Sequence, residues 1–259
     1  MISYKHVSIT LGGRRILEDV TLDIDPGEIF CIMGRSGVGK SVLIKQLVGL
    51  LQPDSGVIRF GGRNVVGMTE RELMALRREC QMVFQSATLF DSMSCVDNVA
   101  LPLRKHFKLS TARARVQALS HLTELGVAHL AERDPATLGP GLKKLIAIAR
   151  SMTLQPKAIL YDEPTTGLDP LAARKFDAMV TGKVAAAGIT QVVVSHDVRS
   201  VVDIADRLVM LHKGRVRFLG TPAELAGTSD PVVMSFISGR PDEDDRSFSI
   251  RPTLGTGDT

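Results

Sequence analysis

Ile29-Phe30-Cys31-Ile32-Met33-Gly34-Arg35-Ser36-Gly37-Val38-Gly39-Lys40-Ser41 joins two patterns. The first residues are a short, wholly apolar run that stops at a glycine, and helical spacing follows from Val42 to Leu50. Such a run predicts a strand buried on both faces, and a strand feeding a helix through a glycine loop is the repeating unit of a parallel sheet. The loop itself, Gly34 to Ser41, fits G-x-x-x-x-G-K-[ST]. Its glycines let the chain curl so that backbone N–H groups point inward at phosphate oxygens, and the helix N-terminus adds roughly half a positive charge. Lys40 is then placed to reach β and γ phosphates, and Ser41 to offer an oxygen to Mg²⁺.

Outward from this loop, alternation in Ile2 to Ile9 and Ile16 to Ile24 predicts two antiparallel strands that turn at Gly12-Gly13. Apolar segments at Gln81 to Phe84, Ala158 to Tyr161, Gln191 to Val194 and Arg207 to Leu211 read as further strands, with helical patterns between most of them. The stretch 86–154 carries helical spacing, as in Ala112 to Leu125 and Lys143 to Met152, and no strand pattern. It is expected to form a helical subdomain inserted into an α/β core. The whole divides into a domain over 1–227 and a C-terminal extension over 228–259, whose polar sequence from Gly239 predicts a mobile tail.

Two strand ends carry chemistry. Ile159-Leu160-Tyr161-Asp162-Glu163 closes an apolar strand with two carboxylates, at the edge of a parallel sheet where ligands bind. Asp162 is expected to hold Mg²⁺, and Glu163 to orient or deprotonate a water that attacks the γ-phosphate. Val192-Val193-Val194-Ser195-His196-Asp197 repeats the arrangement, which puts His196 at the same edge and within reach of the γ-phosphate.

Composition narrows the function classes. A chain of 259 residues, 44% hydrophobic and only 4% aromatic with no Trp, suits an aliphatic α/β enzyme better than a module that stacks bases. The net charge of +4 comes from Lys and Arg scattered among acids, so no nucleic-acid partner is expected. Cys31, Cys80 and Cys95 form no CxxC and lack His at ligand spacing, which argues against disulfide and zinc frameworks. No apolar stretch approaches the roughly 18 residues needed to span a bilayer, so a membrane role is expected to be peripheral.

Taken together these residues resemble the ATP-binding cassette (ABC) superfamily over 1–227. Beyond the Walker A loop (Gly34 to Ser41) and the Walker B carboxylates, Phe84-Gln85 resembles the Q-loop, Thr166-Gly167-Leu168-Asp169 the D-loop, and His196 the switch histidine. The resemblance implies an ATPase with a P-loop core, an antiparallel β subdomain and an inserted helical subdomain. It implies ATP and Mg²⁺, with Ser41, Gln85 and Asp162 around the metal, and a head-to-tail dimer in which each ATP also meets the partner's signature and D-loops. Gln85 and the helical subdomain would pass the motion to transmembrane permease subunits, from the cytoplasmic face of the inner membrane.

Two positions depart from the family pattern. Its usual signature is Leu-Ser-Gly-Gly-Gln, but here Leu138-Gly139-Pro140-Gly141-Leu142 stands in that place. The serine hydroxyl is missing and Pro140 has no N–H, leaving Gly139 and Gly141 as backbone donors and predicting reduced turnover. Leu11 aligns where many relatives place an aromatic that stacks on adenine, which predicts looser base selection.

A closer resemblance covers Phe84-Gln85-Ser86, Leu89-Phe90, Met93, Asp97 to Arg104, and Val193 to Asp197. These residues look like those of the ATPases of Mla/Mce-type lipid transporters, which implies a homodimer, a permease and an MCE-type lipid-binding protein. Other classes stay open: a heterodimer with another cassette, the ATPase of a different transporter, or a regulatory module that closes on ATP without fast turnover. A DNA- or ribosome-directed ATPase would be expected to carry long coiled coils or a second cassette, and the sequence shows neither.

Overall fold

The computed structural model describes residues 1–240. The tail expected to be mobile falls mostly on 241–259, outside the described residues. The glycine turn closes a hairpin as the alternation predicts: β1 (Ile2–Leu11) pairs antiparallel with β2 (Arg14–Ile24). They join β4 (Ser55–Phe60) and β5 (Arg63–Asn64) in a four-stranded sheet of order β2-β1-β4-β5.

The second sheet has six strands in the order β10-β9-β3-β8-β7-β6. They are β3 (Ile29–Met33), β6 (Cys80–Val83), β7 (Ala158–Asp162), β8 (Thr190–Val194), β9 (Arg207–His212) and β10 (Arg215–Gly220). All pairings are parallel except that of edge strand β10 with β9. The apolar run of β3 has a direct cause. Phe30 and Ile32 face a core shared with the antiparallel sheet and helix α1 (Lys40–Leu47), while Ile29, Cys31 and Met33 face a second core on the opposite side. With both faces covered, a polar side chain has no water to reach.

The sequence pattern did not reveal β4, β5 or β10. In β10 charged Arg215 and Arg217 alternate with partly buried residues, and the strand lies at the sheet edge. Helix α2 (Glu70–Glu79) starts at a capping box of Thr69 and Glu72.

The stretch 86–154 is helical among its regular elements, as expected: α3 (Cys95–Phe107), α4 (Thr111–Glu124) and α5 (Pro140–Met152), with short 3₁₀ turns. Helix α5 begins three residues earlier than the expected Lys143, because Gly139 serves as N-cap and Pro140 takes the first helical position, where its missing N–H costs no hydrogen bond. One side of α5, at Ile146 and Ala149, packs into the core of the helical subdomain, and the other, at Ala147 and Ile148, packs against the sheet. Beyond α6 (Pro170–Met179), α7 (Val198–Ile204) and α8 (Pro222–Ala226), the C-terminal extension carries one more helix ahead of the tail expected from Gly239. This helix, α9 (Pro231–Ile237), buries Val233 completely in the second core.

The segment entering α3 is irregular, and fully buried Asn98 organises it. Its amide accepts from Phe90 N–H at 2.8 Å and donates to the carbonyls of Phe90 (2.9 Å), Met93 (3.2 Å) and Ser94 (3.1 Å). Asn98→Ala strands these backbone groups, so unfolding free energy should fall by about 2–3 kcal/mol. The measurement is the urea midpoint at unchanged slope; an unmoved midpoint would mean that the loop does not depend on the amide.

Candidate functional site

The C-terminal ends of β3, β6, β7 and β8 converge because the strands run parallel in register: Asp162 pairs with Val194, and Ile32 with the same Val194. Ser195 N–H donates to Ile32 O at 3.1 Å, and Glu163 N–H to Val194 O at 3.0 Å, which extends the sheet by one step into the site. The loop after β3 needs its glycines. Gly34 has φ +146°, and a Cβ there would lie 2.6 Å from the backbone oxygen of Leu211. Gly39, N-cap of α1, has φ +111°.

Within the loop Lys40 is only 5% exposed. Its Nζ donates to the carbonyls of Gly34 at 2.8 Å and Arg35 at 3.2 Å, and stands 3.3 Å from Glu163 Oε1. One residue on, Ser41 Oγ donates to Asp162 Oδ1 at 2.5 Å. The other oxygen of Glu163 meets His196 Nδ1 at 2.6 Å and accepts from Thr166 Oγ1 at 3.1 Å. Glu163 also holds a left-handed backbone, φ +50°, a conformation that costs a non-glycine residue about 1 kcal/mol or more.

These side chains border a cavity of about 600 Å³ lined by Ser36, Gly37, Gly39, Lys40, Ser41, Gln85, Glu163 and His196. Asp162 is not among the lining residues and is tied to the cavity through its bond to Ser41. Arg35 and Val38 turn to a neighbouring cavity with Arg14, Arg15 and Lys213. Gly139, Gly141 and Asp169 stand apart, around a third cavity between the start of α5 and the start of α6, so one chain alone does not bring them to Lys40. Three other residues lining the first cavity, Ile16, Val42 and Thr166, were not singled out as site residues in the sequence. Thr166 was legible only as part of a loop, since its bond to Glu163 depends on the turn between them. Leu11 is 38% exposed at the end of β1, and it is Ile16 on β2 that lines the cavity.

The oxygen donors fit a hard divalent cation: a hydroxyl and a carboxylate in contact at Ser41 and Asp162, with Gln85 lining the same cavity as Ser41. A glycine-cradled lysine beside paired carboxylates at the end of a parallel sheet defines a nucleoside-triphosphate hydrolase of the P-loop class. The ABC transporter family matches residues 17–166, and the chain belongs to that family: it is an ATP-binding subunit and an ATPase. It is similar to the intermembrane phospholipid transport system ATP-binding protein MlaF of Escherichia coli (strain K12), with 35% identity over 92% of this chain and 89% of that protein. The probable ribonucleotide transport ATP-binding protein mkl of Mycobacterium leprae is 36% identical over 92% of this chain and 69% of its own length. Among solved structures, the dimeric post-hydrolysis state of the ATP-binding cassette MJ0796 bound to ADP and Pi matches with TM-score 0.78 and 29% identity, covering 86% of this chain and 99% of that one.

The Leu211 carbonyl that crowds Gly34 belongs to the backbone of β9 and cannot swing away. Gly34→Ala should therefore cost about 1–3 kcal/mol of stability and distort the loop. Paired urea titrations and equilibrium ATP binding check this; a variant equal to the parent in both would show that the loop tolerates a Cβ.

Proposed function

We propose that this chain energises lipid transport across a bacterial envelope, as a homodimer of ATPase subunits bound peripherally to permease subunits at the cytoplasmic face of the inner membrane. The observation that carries the nucleotide chemistry is the convergence of Lys40, the Ser41–Asp162 pair and the Glu163–His196 pair on one cavity. The lipid cargo is supported by similarity, over nearly the whole chain, to proteins named for phospholipid transport. An MCE-type protein is the expected lipid-binding partner, and no nucleic acid takes part. Among described residues, no helix is long and apolar enough to cross a membrane, so the permease supplies the membrane path. The second reading, a nucleotide-like cargo, draws on the relative named for ribonucleotide transport.

The residue roles follow from their contacts. The N–H groups of Gly34 to Ser41 bind phosphate oxygens, and Lys40 exchanges the Glu163 carboxylate for the β and γ phosphates when ATP arrives. That exchange leaves Glu163 free to take a proton from the attacking water, with His196 and Thr166 holding its second oxygen. Ser41, Asp162 and Gln85 would hold Mg²⁺, which when bound neutralises charge on the transferring phosphoryl group. Gly139, Gly141 and Asp169 act across the dimer, on the partner's nucleotide. Gly139 occupies the N-cap of α5 with no side-chain cap, so the helix N-terminus itself faces the γ-phosphate without the family's hydroxyl. A heterodimer in which another cassette supplies an intact signature is the competing assembly.

Glu163→Gln keeps shape and loses the base. ATP binding should persist, hydrolysis should fall roughly a hundredfold or more, and light scattering should show an ATP-dependent dimer. Parental turnover would remove Glu163 from the chemistry. For the transport reading, the chain purified from detergent-solubilised native membranes should bring a permease and an MCE-domain protein with it. Ribosomes or DNA-repair proteins in their place would overturn that reading.

A further inference from the structure

Two adjacent lysines lie in the first turns of α5, and the fold treats them differently. Lys143 stays partly exposed, whereas Lys144 is only 3% exposed. A buried ammonium costs several kcal/mol unless its protons find acceptors. Lys144 Nζ donates to the carbonyl of Thr166 at 2.9 Å and to that of Pro164 at closer range. Both acceptors are neutral, and both lie in the turn that directly follows Glu163. Burial pushes the lysine below its ordinary pKa, while the Glu163 carboxylate acts in the opposite direction.

That turn has little slack. Glu163 enters it with φ +50°, and Thr166, whose carbonyl Lys144 holds, returns its hydroxyl to the Glu163 carboxylate. The end of α5 packs on the next stretch as well: a Cβ on Gly141 would lie 3.2 Å from Ala172 Cβ and 3.5 Å from Leu168 Cδ2. A lysine serving stability alone could sit at the surface, as Lys143 does in part, at far lower desolvation cost.

We propose that Lys144 is a positioning residue for ATP hydrolysis: it clamps the Pro164 to Thr166 turn onto α5 and so fixes the Glu163 carboxylate. The proposal rests on the reading that Glu163 activates the water. It also makes each subunit's own carboxylate continuous with the helix whose N-terminus carries Gly139.

The test compares Lys144→Met, Lys144→Gln and Lys144→Arg in the full chain, each in the parental and the Glu163→Gln backgrounds. Lys144→Met should lower kcat roughly ten- to a hundredfold, the scale of a misplaced catalytic group, at unchanged ATP affinity. Lys144→Arg, which keeps charge and donors, should recover most of that loss. In the Glu163→Gln background Lys144→Met should cause no further loss, since both changes act through one group. Parental kcat in Lys144→Met, a loss that multiplies with Glu163→Gln, or a parallel loss of ATP affinity would each overturn the proposal. Should Lys144→Met not fold, Lys144→Gln, whose uncharged amide ends one bond short of the position of Nζ, carries the same comparison. A fully active Glu163→Gln defeats the reading of Glu163 and this proposal with it; a slow Glu163→Gln beside a fully active Lys144→Met defeats this proposal alone.

Discussion

A buried ammonium must find oxygen, and Lys40 finds it in the carbonyls of Gly34 and Arg35 and in the carboxylate of Glu163. The rest of the site follows from satisfying that one cation. The carbonyls are available only because the loop curls through glycines, and at Gly34 the curl brings the backbone against Leu211, where no Cβ fits. The carboxylate is available because β7 lies next to β8 in parallel register, which puts Glu163 and His196 at the same level of the sheet. Replacing an internal carboxylate with a phosphate exchanges one anionic partner for another, so ligand binding need not leave the charge uncompensated.

Much of this was legible in the sequence because it follows from local rules. The strand run Ile29 to Met33, the glycine loop and the carboxylates after Ala158 to Tyr161 each report a physical demand visible within a few residues. The central helices were legible through their spacing, and the hairpin through Gly12-Gly13. What was hidden depended on distance in sequence. Edge strand β10 carries arginines at alternate positions because it packs on one side only. Ile16 reaches the cavity at Lys40 only because β2 folds back beside the loop after β3. The pairing of Thr166 with Glu163, and the burial of Lys144, exist only once a turn and a helix meet.

The region 138–142 shows how a departure from a family pattern can be structurally sound. Glycine is an acceptable N-cap and proline a favoured first residue, so the helix begins cleanly at Gly139-Pro140. Helix stability therefore places no demand for a serine there. What a glycine lacks there is a side-chain oxygen, so the helix end presents backbone groups alone.

Helix α5 touches two cores on opposite sides, with Ile146 and Ala149 toward one and Ala147 and Ile148 toward the other. It is a rigid rod about 20 Å long at 1.5 Å per residue, and rods convert small angles into displacements at their tips. A tilt of about 5° pivoting at its C-terminal end would carry its tip about 2 Å, more than half the reach of a hydrogen bond. The two cores thus act as bearings on a shaft, and the separation between them and Gly139 sets the gearing between movement of the central helices and displacement of the helix tip.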